Sequence, residues 1–346
     1  MNKKLKFLDR YLTLWIFISM ILGISIGYFL PGFSDSIQQM GTGTTNIPLA
    51  IGLILMMYPP LVKVDFAKIP VLFSNVKLLS LSLFITWVVG PSLMFGLATL
   101  LLHDYPEYMQ GLIIIGIAPC IAMVIVWNEL ASGNREYVAG LVGINSLMQV
   151  AFFSLYAYFF LEIMLPLVGL EAQTVSITIA DIAKTVGIYL GIPFLLGVFS
   201  RYGLLAWKGS QWFHTKFVPF ISPLTLVALL LTILLMFSFK GQAMVALPMD
   251  VLKVTFPLLI FFLVMFFLTF FIMKKAGANY AENAAISFTA SGNNFELAIA
   301  VSIGIFGIES GQAFAGVIGP LVEVPVLIML VQAAYWLKKK WYPVKN

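Results

Sequence analysis

A chain of 346 residues that is 61% hydrophobic and 10% charged, with a mean hydropathy of +0.99, cannot fold as a soluble globule, whose charged share is about 25%. The formal charge of +5 does not point to a nucleic acid partner, because the basic residues flank apolar stretches, where they set orientation in a bilayer. A single cysteine excludes an intrachain disulfide and a multi-thiolate metal centre, and no resident cofactor is expected.

A helical span needs about 20 apolar residues. On that ruler the chain is an all-α polytopic membrane protein of ten segments: 11–30, 47–62, 78–102, 110–128, 137–161, 182–200, 217–239, 251–273, 282–307 and 310–337. The first follows Lys3, Lys4, Lys6 and Arg10, and it is too long for the apolar core of a typical signal peptide, so it reads as a retained span. The second is short and ends in Pro59-Pro60; the fourth carries Pro119, and Gly292-Asn293-Asn294 interrupts the ninth. Ten spans put both termini on one side. With the N-terminus cytoplasmic, 17 of the 20 basic residues fall inside and only Lys184, Lys240 and Lys253 fall outside. The outer loops instead carry Asp35, Asp104, Glu107, Glu162, Glu171 and Glu309. The expectation is a multi-pass protein of the inner or plasma membrane, bathed in lipid, with both termini cytoplasmic.

Ten spans divide into two sets of five, residues 1–162 and 163–346, and an odd number per half places the halves in opposite orientations within one membrane domain. That is the inverted-repeat arrangement of secondary transporters, whose sites lie at the midplane where discontinuous helices meet. The fourth and ninth spans then correspond. At an offset of 176, Cys120-Ile121-Ala122-Met123-Val124 falls on Glu296-Leu297-Ala298-Ile299-Ala300, and Ala139-Gly140-Leu141-Val142-Gly143 on Ala315-Gly316-Val317-Ile318-Gly319. Only four of the 26 aligned pairs are identical, so the value of the match is positional: the lone thiol and an intramembrane carboxylate occupy equivalent places.

Proline removes a helix hydrogen bond and clashes with the preceding turn, so Pro119 is expected to open a half-helix just before Cys120. Amide groups there favour an anion and a reactive thiolate; the competing reading is a buried filler cysteine. Glu296, next to the Gly292 break, is a chargeable group where a proton-coupled carrier requires one, against a structural carboxylate satisfied by Thr289, Asn293 or Asn294. Glu323, between Pro320 and Pro325, is a second intramembrane acid for which structural and functional roles are evenly balanced. Asn145, Ser146 and Gln149 form the equivalent polar patch of the first half, with hydrogen-bonded packing the favoured reading. No G-x-x-x-x-G-K-[ST] loop is present, so energy must come from an ion gradient or from a partner such as an accessory ATPase. No Gly-x-Ser-x-Gly is accompanied by a membrane histidine, and no pair of intramembrane aspartates is present, so an enzyme is not expected.

Four stretches carry a family resemblance: Met57-Tyr-Pro-Pro-Leu-Val-Lys-Val64, Ala118-Pro-Cys-Ile-Ala-Met-Val-Ile-Val-Trp-Asn128, Phe288-Thr-Ala-Ser-Gly-Asn-Asn-Phe-Glu-Leu-Ala-Ile-Ala300, and Ser310-Gly-Gln-Ala-Phe-Ala through Gly319-Pro-Leu-Val-Glu-Val-Pro325. Together they resemble the arsenite efflux permeases of arsenical resistance, in the bile acid/arsenite/riboflavin transporter superfamily. The resemblance implies a panel and a core domain, broken helices that cross at the fourth and ninth spans, an essential cysteine at Cys120 and an essential glutamate at Glu296. Where the family frequently has arginine before the cysteine, this chain has Pro119. The implied substrate is trivalent arsenic, as arsenite or antimonite, exported from the cytoplasm by proton antiport with alternating access. One soft thiolate selects the thiophilic element, and a single sulfur lets it go again. Substrate contacts then fall to Cys120, Asn293, Asn294 and Glu296, and proton coupling to Glu296 and Glu323. The alternative is a sodium-coupled organic-anion symporter of the same superfamily, with sodium on oxygens of Gln149, Asn293, Asn294 and Glu296 and no need of Cys120.

Overall fold

The computed structural model describes residues 11–30, 32, 41–42, 45–170, 178–239 and 247–343. Lys3, Lys4, Lys6, Arg10, Asp35, Glu171, Lys240 and Lys345, used above to set orientation, lie outside the described residues. Apart from a two-residue antiparallel pair, Gly41–Thr42 with Thr45–Asn46, the named elements are helical. In chain order these are α1 (Leu12–Phe29), α2 (Ile47–Lys63), α3 (76–101, through a π turn at Ile85–Val89), α4 (Pro106–Gly116), α5 (Val124–Leu130) and α6 (135–167). They continue as α7 (179–208), α8 (Val218–Phe239), α9 (Leu247–Ala276), α10 (Tyr280–Ser291), α11 (Phe295–Phe306) and α12 (Gly311–Trp341). Among the described residues, five helical stretches are long and apolar enough to cross a membrane: Phe66–Leu101, Arg135–Leu167, Ile179–Ser238, Met249–Ala276 and Gly311–Trp341. The third is broken at Gly209, whose φ of +80° is open to glycine at little cost. Helices suit this environment because hydrocarbon offers backbone amides no other partner.

Two helices run through prolines: α2 passes Pro59 and Pro60 to end at Lys63, within a residue of the expected 62, and Pro320 and Pro325 sit inside an uninterrupted α12. A membrane helix tolerates proline when neighbours meet the freed backbone groups. At the end of α2 the last carbonyls, free as at any helix C-terminus, are met by Arg201 of α7, which is 5% exposed. Its guanidinium donates to the carbonyls of Val62 (3.4 Å) and Lys63 (3.2 Å), pairs with Asp65 at 3.2 Å and lies over the Phe213 ring. A cation thus caps the negative end of the helix dipole and is itself paired.

The helices pack in two groups. α1, α7 and α8 gather on and around α2, whereas α3 to α6 and α9 to α12 pack on one another. Where the groups meet, α11 presents Gly304 to α7; a Cβ there would lie 2.5 Å from Thr185 Cγ2 and 2.8 Å from Tyr189 Cε2. Two ties run between helix starts inside the second group. The Glu107 carboxylate in the first turn of α4 accepts from the Gly311 N–H at the start of α12 (2.7 Å), and the Asn134 N–H before α6 donates to the Ala281 carbonyl in the first turn of α10 (2.8 Å).

Candidate functional site

α4 stops at Gly116 and α5 does not start until Val124; α10 stops at Ser291 and α11 starts at Phe295. The two non-helical pieces lie side by side and hydrogen-bond as a minimal antiparallel bridge, Pro119 opposite Asn293. The Cys120 N–H donates to the Gly292 carbonyl (3.0 Å) and the Asn294 N–H to the Ala118 carbonyl (2.7 Å). Each break meets the backbone groups that the other exposes, which is how irregular backbone survives buried in a membrane protein.

Side chains complete the pairing. Asn293 Nδ2 donates at 2.9 Å to the Ile115 carbonyl at the end of α4, which also accepts the Ala118 N–H. Asn294 caps α11, its Oδ1 accepting the Leu297 N–H at 3.1 Å. Its Nδ2 donates to Gln149 Oε1 on α6 at 2.8 Å, and Gln149 Nε2 donates to the Pro119 carbonyl.

Cys120 is 2% exposed and its thiol is free. The expectation that Pro119 opens a half-helix at Cys120 does not hold: residues 119–120 are drawn into the extended bridge, and the helix begins four residues after the thiol. The sulfur still lies against the backbone N–H groups of Ala122 and Val124, so amides face it without a helical turn beneath it. Two carboxylates act on it through space, Glu323 from α12 and Glu296 from the first turn of α11. Glu323 is 3% exposed; the Asn293 backbone N–H faces its carboxylate, and its Oε1 has no hydrogen-bond partner among the described residues. Glu296 is half-buried. None of its anticipated structural partners serves it, because Thr289 Oγ1 bonds the Ala285 carbonyl and both asparagine amides are committed as above. The site residues singled out in the sequence, Pro119, Cys120, Gly292, Asn293, Asn294, Glu296 and Glu323, are therefore gathered at one place by three segments far apart in the chain.

Gly292 holds this place open. Its backbone is extended, so conformation does not demand glycine; space does. A Cβ would sit 3.0 Å from Cys120 Cβ and 3.2 Å from Glu323 Oε1. Gly292→Ala is expected to leave membrane levels intact and to cut transport about 10-fold, since prising thiol and carboxylate apart costs about 1–3 kcal/mol of overpacking. Substrate flux per unit of protein, measured beside Gly292→Leu, which should transport nothing, checks this.

Sequence reasoning placed Gln149 in a packing patch and passed over two tyrosines. Tyr280 Oη donates to the Ala131 carbonyl (2.7 Å) and Tyr335 Oη to the Leu130 carbonyl (2.8 Å), capping the seven-residue α5 at the end away from the thiol. No local spacing signals these contacts, which span 149 and 205 residues.

The model of the sodium bile acid symporter family matches residues 50–247. An arsenical-resistance protein Acr3 of Corynebacterium glutamicum is 47% identical across 98% of this chain and 92% of its own length. The arsenical-resistance protein Acr3 of Alkaliphilus metalliredigens is 31% identical, over 99% of this chain and 96% of its own. An uncharacterized transporter of Synechocystis is 34% identical, over 96% and 90% respectively.

Proposed function

The chain belongs to the arsenical-resistance Acr3 family within the bile acid/arsenite/riboflavin transporter superfamily, and from that premise we propose that it exports arsenite, and antimonite by the same chemistry, from the cytoplasm by proton antiport. One observation carries the proposal: a free thiol held between two paired helix breaks, faced by amides and flanked by two carboxylates. Arsenite is a neutral trihydroxide that must be bound firmly enough to select and loosely enough to release. A single sulfur meets both demands. The Cys120 S–H bond and one As–OH bond break, an S–As bond forms, and the thiol proton and the hydroxide leave together as water. Water entering from the far side reverses the step. Glu296, half-buried beside the thiol, takes up the proton that drives release, and the orphaned Glu323 oxygen meets an arsenic hydroxyl.

In this reading α4 with α5 and α10 with α11 are single broken spans, which gives ten spans in two inverted five-helix repeats with both termini cytoplasmic. Matched helix starts support it: Pro106 and Tyr280, Val124 and Phe295, Arg135 and Gly311. So do the two reciprocal ties, α4 to α12 and α10 to α6. The α1, α2, α7, α8 group is the panel and the other helices are the core, whose rocking against the panel exposes Cys120 to each side in turn.

Everted membrane vesicles with an acidified lumen are expected to accumulate arsenite above the outside concentration, to lose it when an ionophore collapses the proton gradient, and to be indifferent to replacing sodium with potassium. Accumulation that needs sodium and ignores the proton gradient would instead favour the organic-anion symporter reading.

A further inference from the structure

We propose that Gln149 is the positioning residue for the Cys120 thiol, closing a one-way chain of hydrogen bonds that runs from the start of α11 to the peptide bond in front of Cys120. Every orientation in this chain is forced. The Leu297 N–H is a donor only, so it takes Asn294 Oδ1 and turns the Asn294 amide nitrogen towards α6. Gln149 must then present its oxygen to Asn294, which leaves its own NH2 facing the Pro119 carbonyl, an acceptor only. The peptide group joining Pro119 to Cys120 is thereby gripped at both ends, its carbonyl by Gln149 and its N–H by the Gly292 carbonyl. Asn294, Gln149 and Cys120 are 2%, 0% and 2% exposed, so water does not substitute for a lost partner. Aligned bonds in such a place reinforce one another, and the chain fails as a unit when one member cannot both donate and accept.

This assignment rests on Cys120 being the substrate-binding thiol, and it makes a demand that ordinary packing does not. Position 149 needs an acceptor on one side and a hydrogen donor on the other. Methionine fills the same space with neither. Glutamic acid has both when protonated, but the ionised carboxylate cannot donate to the Pro119 carbonyl. The variant should therefore work at acid pH and fail as pH rises. Cys120, Glu296 on α11 and Glu323 on α12 are the titratable groups around the same crossing; Glu129 of α5 is paired with Arg135, and Glu282 caps α10, each at the far end of its helix. All are common to wild type and variants, so the variant-to-wild-type ratio isolates position 149.

The test measures arsenite uptake by everted vesicles across a pH series, normalised to protein level, for wild type, Gln149→Met and Gln149→Glu, with maleimide labelling of Cys120, the chain's one cysteine, in the same membranes. Gln149→Met is expected to lose about 10-fold or more in uptake at every pH and to label faster, as a break with two unpaired buried groups loosens. Gln149→Glu should approach wild type at the acid end and fall to the Gln149→Met level at the alkaline end. Wild-type uptake by Gln149→Met, or a Gln149→Glu ratio that is flat with pH, overturns the proposal. If Gln149→Met fails to reach the membrane, the Gln149→Glu ratio decides alone. A wild type that carries no arsenite would refute the transport reading instead, and labelling would still judge the positioning: unchanged rates in both variants overturn it.

Discussion

Cys120→Ser is expected to lower arsenite accumulation in everted vesicles to the level of vesicles lacking the protein, while the variant folds and inserts at wild-type levels. Serine has nearly the same shape and keeps the hydrogen-bonding options of a thiol, so the 2% exposed site, its amides from Ala122 and Val124 and the Cys120 N–H bond to Gly292 all have a tenant. What serine removes is polarizability. A hydroxyl exchanges one As–O bond for another and gains nothing over water, whereas in the proposed cycle the As–S bond is the selective step. A loss of at least about 100-fold corresponds to roughly 2.7 kcal/mol, a modest demand on a covalent bond. Uptake at more than a tenth of the wild-type rate would mean that arsenite passes this site as an unbonded polyol.

Glu296→Gln is expected to abolish accumulation driven by a proton gradient yet leave downhill equilibration of arsenite measurable. Glutamine keeps the length and one acceptor oxygen of the side chain in the first turn of α11 but cannot take up or give back a proton. Among the described residues Glu296 makes no ion pair, so no buried cation is stranded by the change. Counterflow and gradient-driven uptake measured on the same vesicles separate coupling from translocation. Gradient-driven uptake that persists with an unaltered pH dependence would move the coupling role to another group.

Hydropathy was enough to place nearly every described helix, because lipid imposes one requirement on long stretches of chain. The end of α2 was legible to within a residue, 62 against Lys63, but its last carbonyls are met by Arg201, 139 and 138 residues away in sequence, and no local pattern announces that. Pro119 looked like a helix start, but its neighbourhood pairs with residues 292–294 instead. The offset of 176 set Cys120 against Glu296 as equivalent positions, while the backbone of Cys120 bonds Gly292. The difference follows from antiparallel pairing, in which equivalent residues are adjacent only at the centre of the crossing, here Ala118 and Asn294. Gln149 read as hydrogen-bonded packing, which its bonds to Asn294 and Pro119 bear out, but that these partners lie in different breaks was not legible, because a sequence shows one residue at a time.

The bridge between Pro119 and Asn293 also dictates when the site comes into being. Ribosomes deliver α4 and α5 to the membrane well over a hundred residues before Gly292 is made. During that interval the Cys120 amide and the Ala118 carbonyl have no backbone partner, and leaving them so in hydrocarbon costs several kcal/mol each. The first break must therefore wait in a wet or protein-lined environment until the second arrives, and the thiol is completed only at the end of biogenesis.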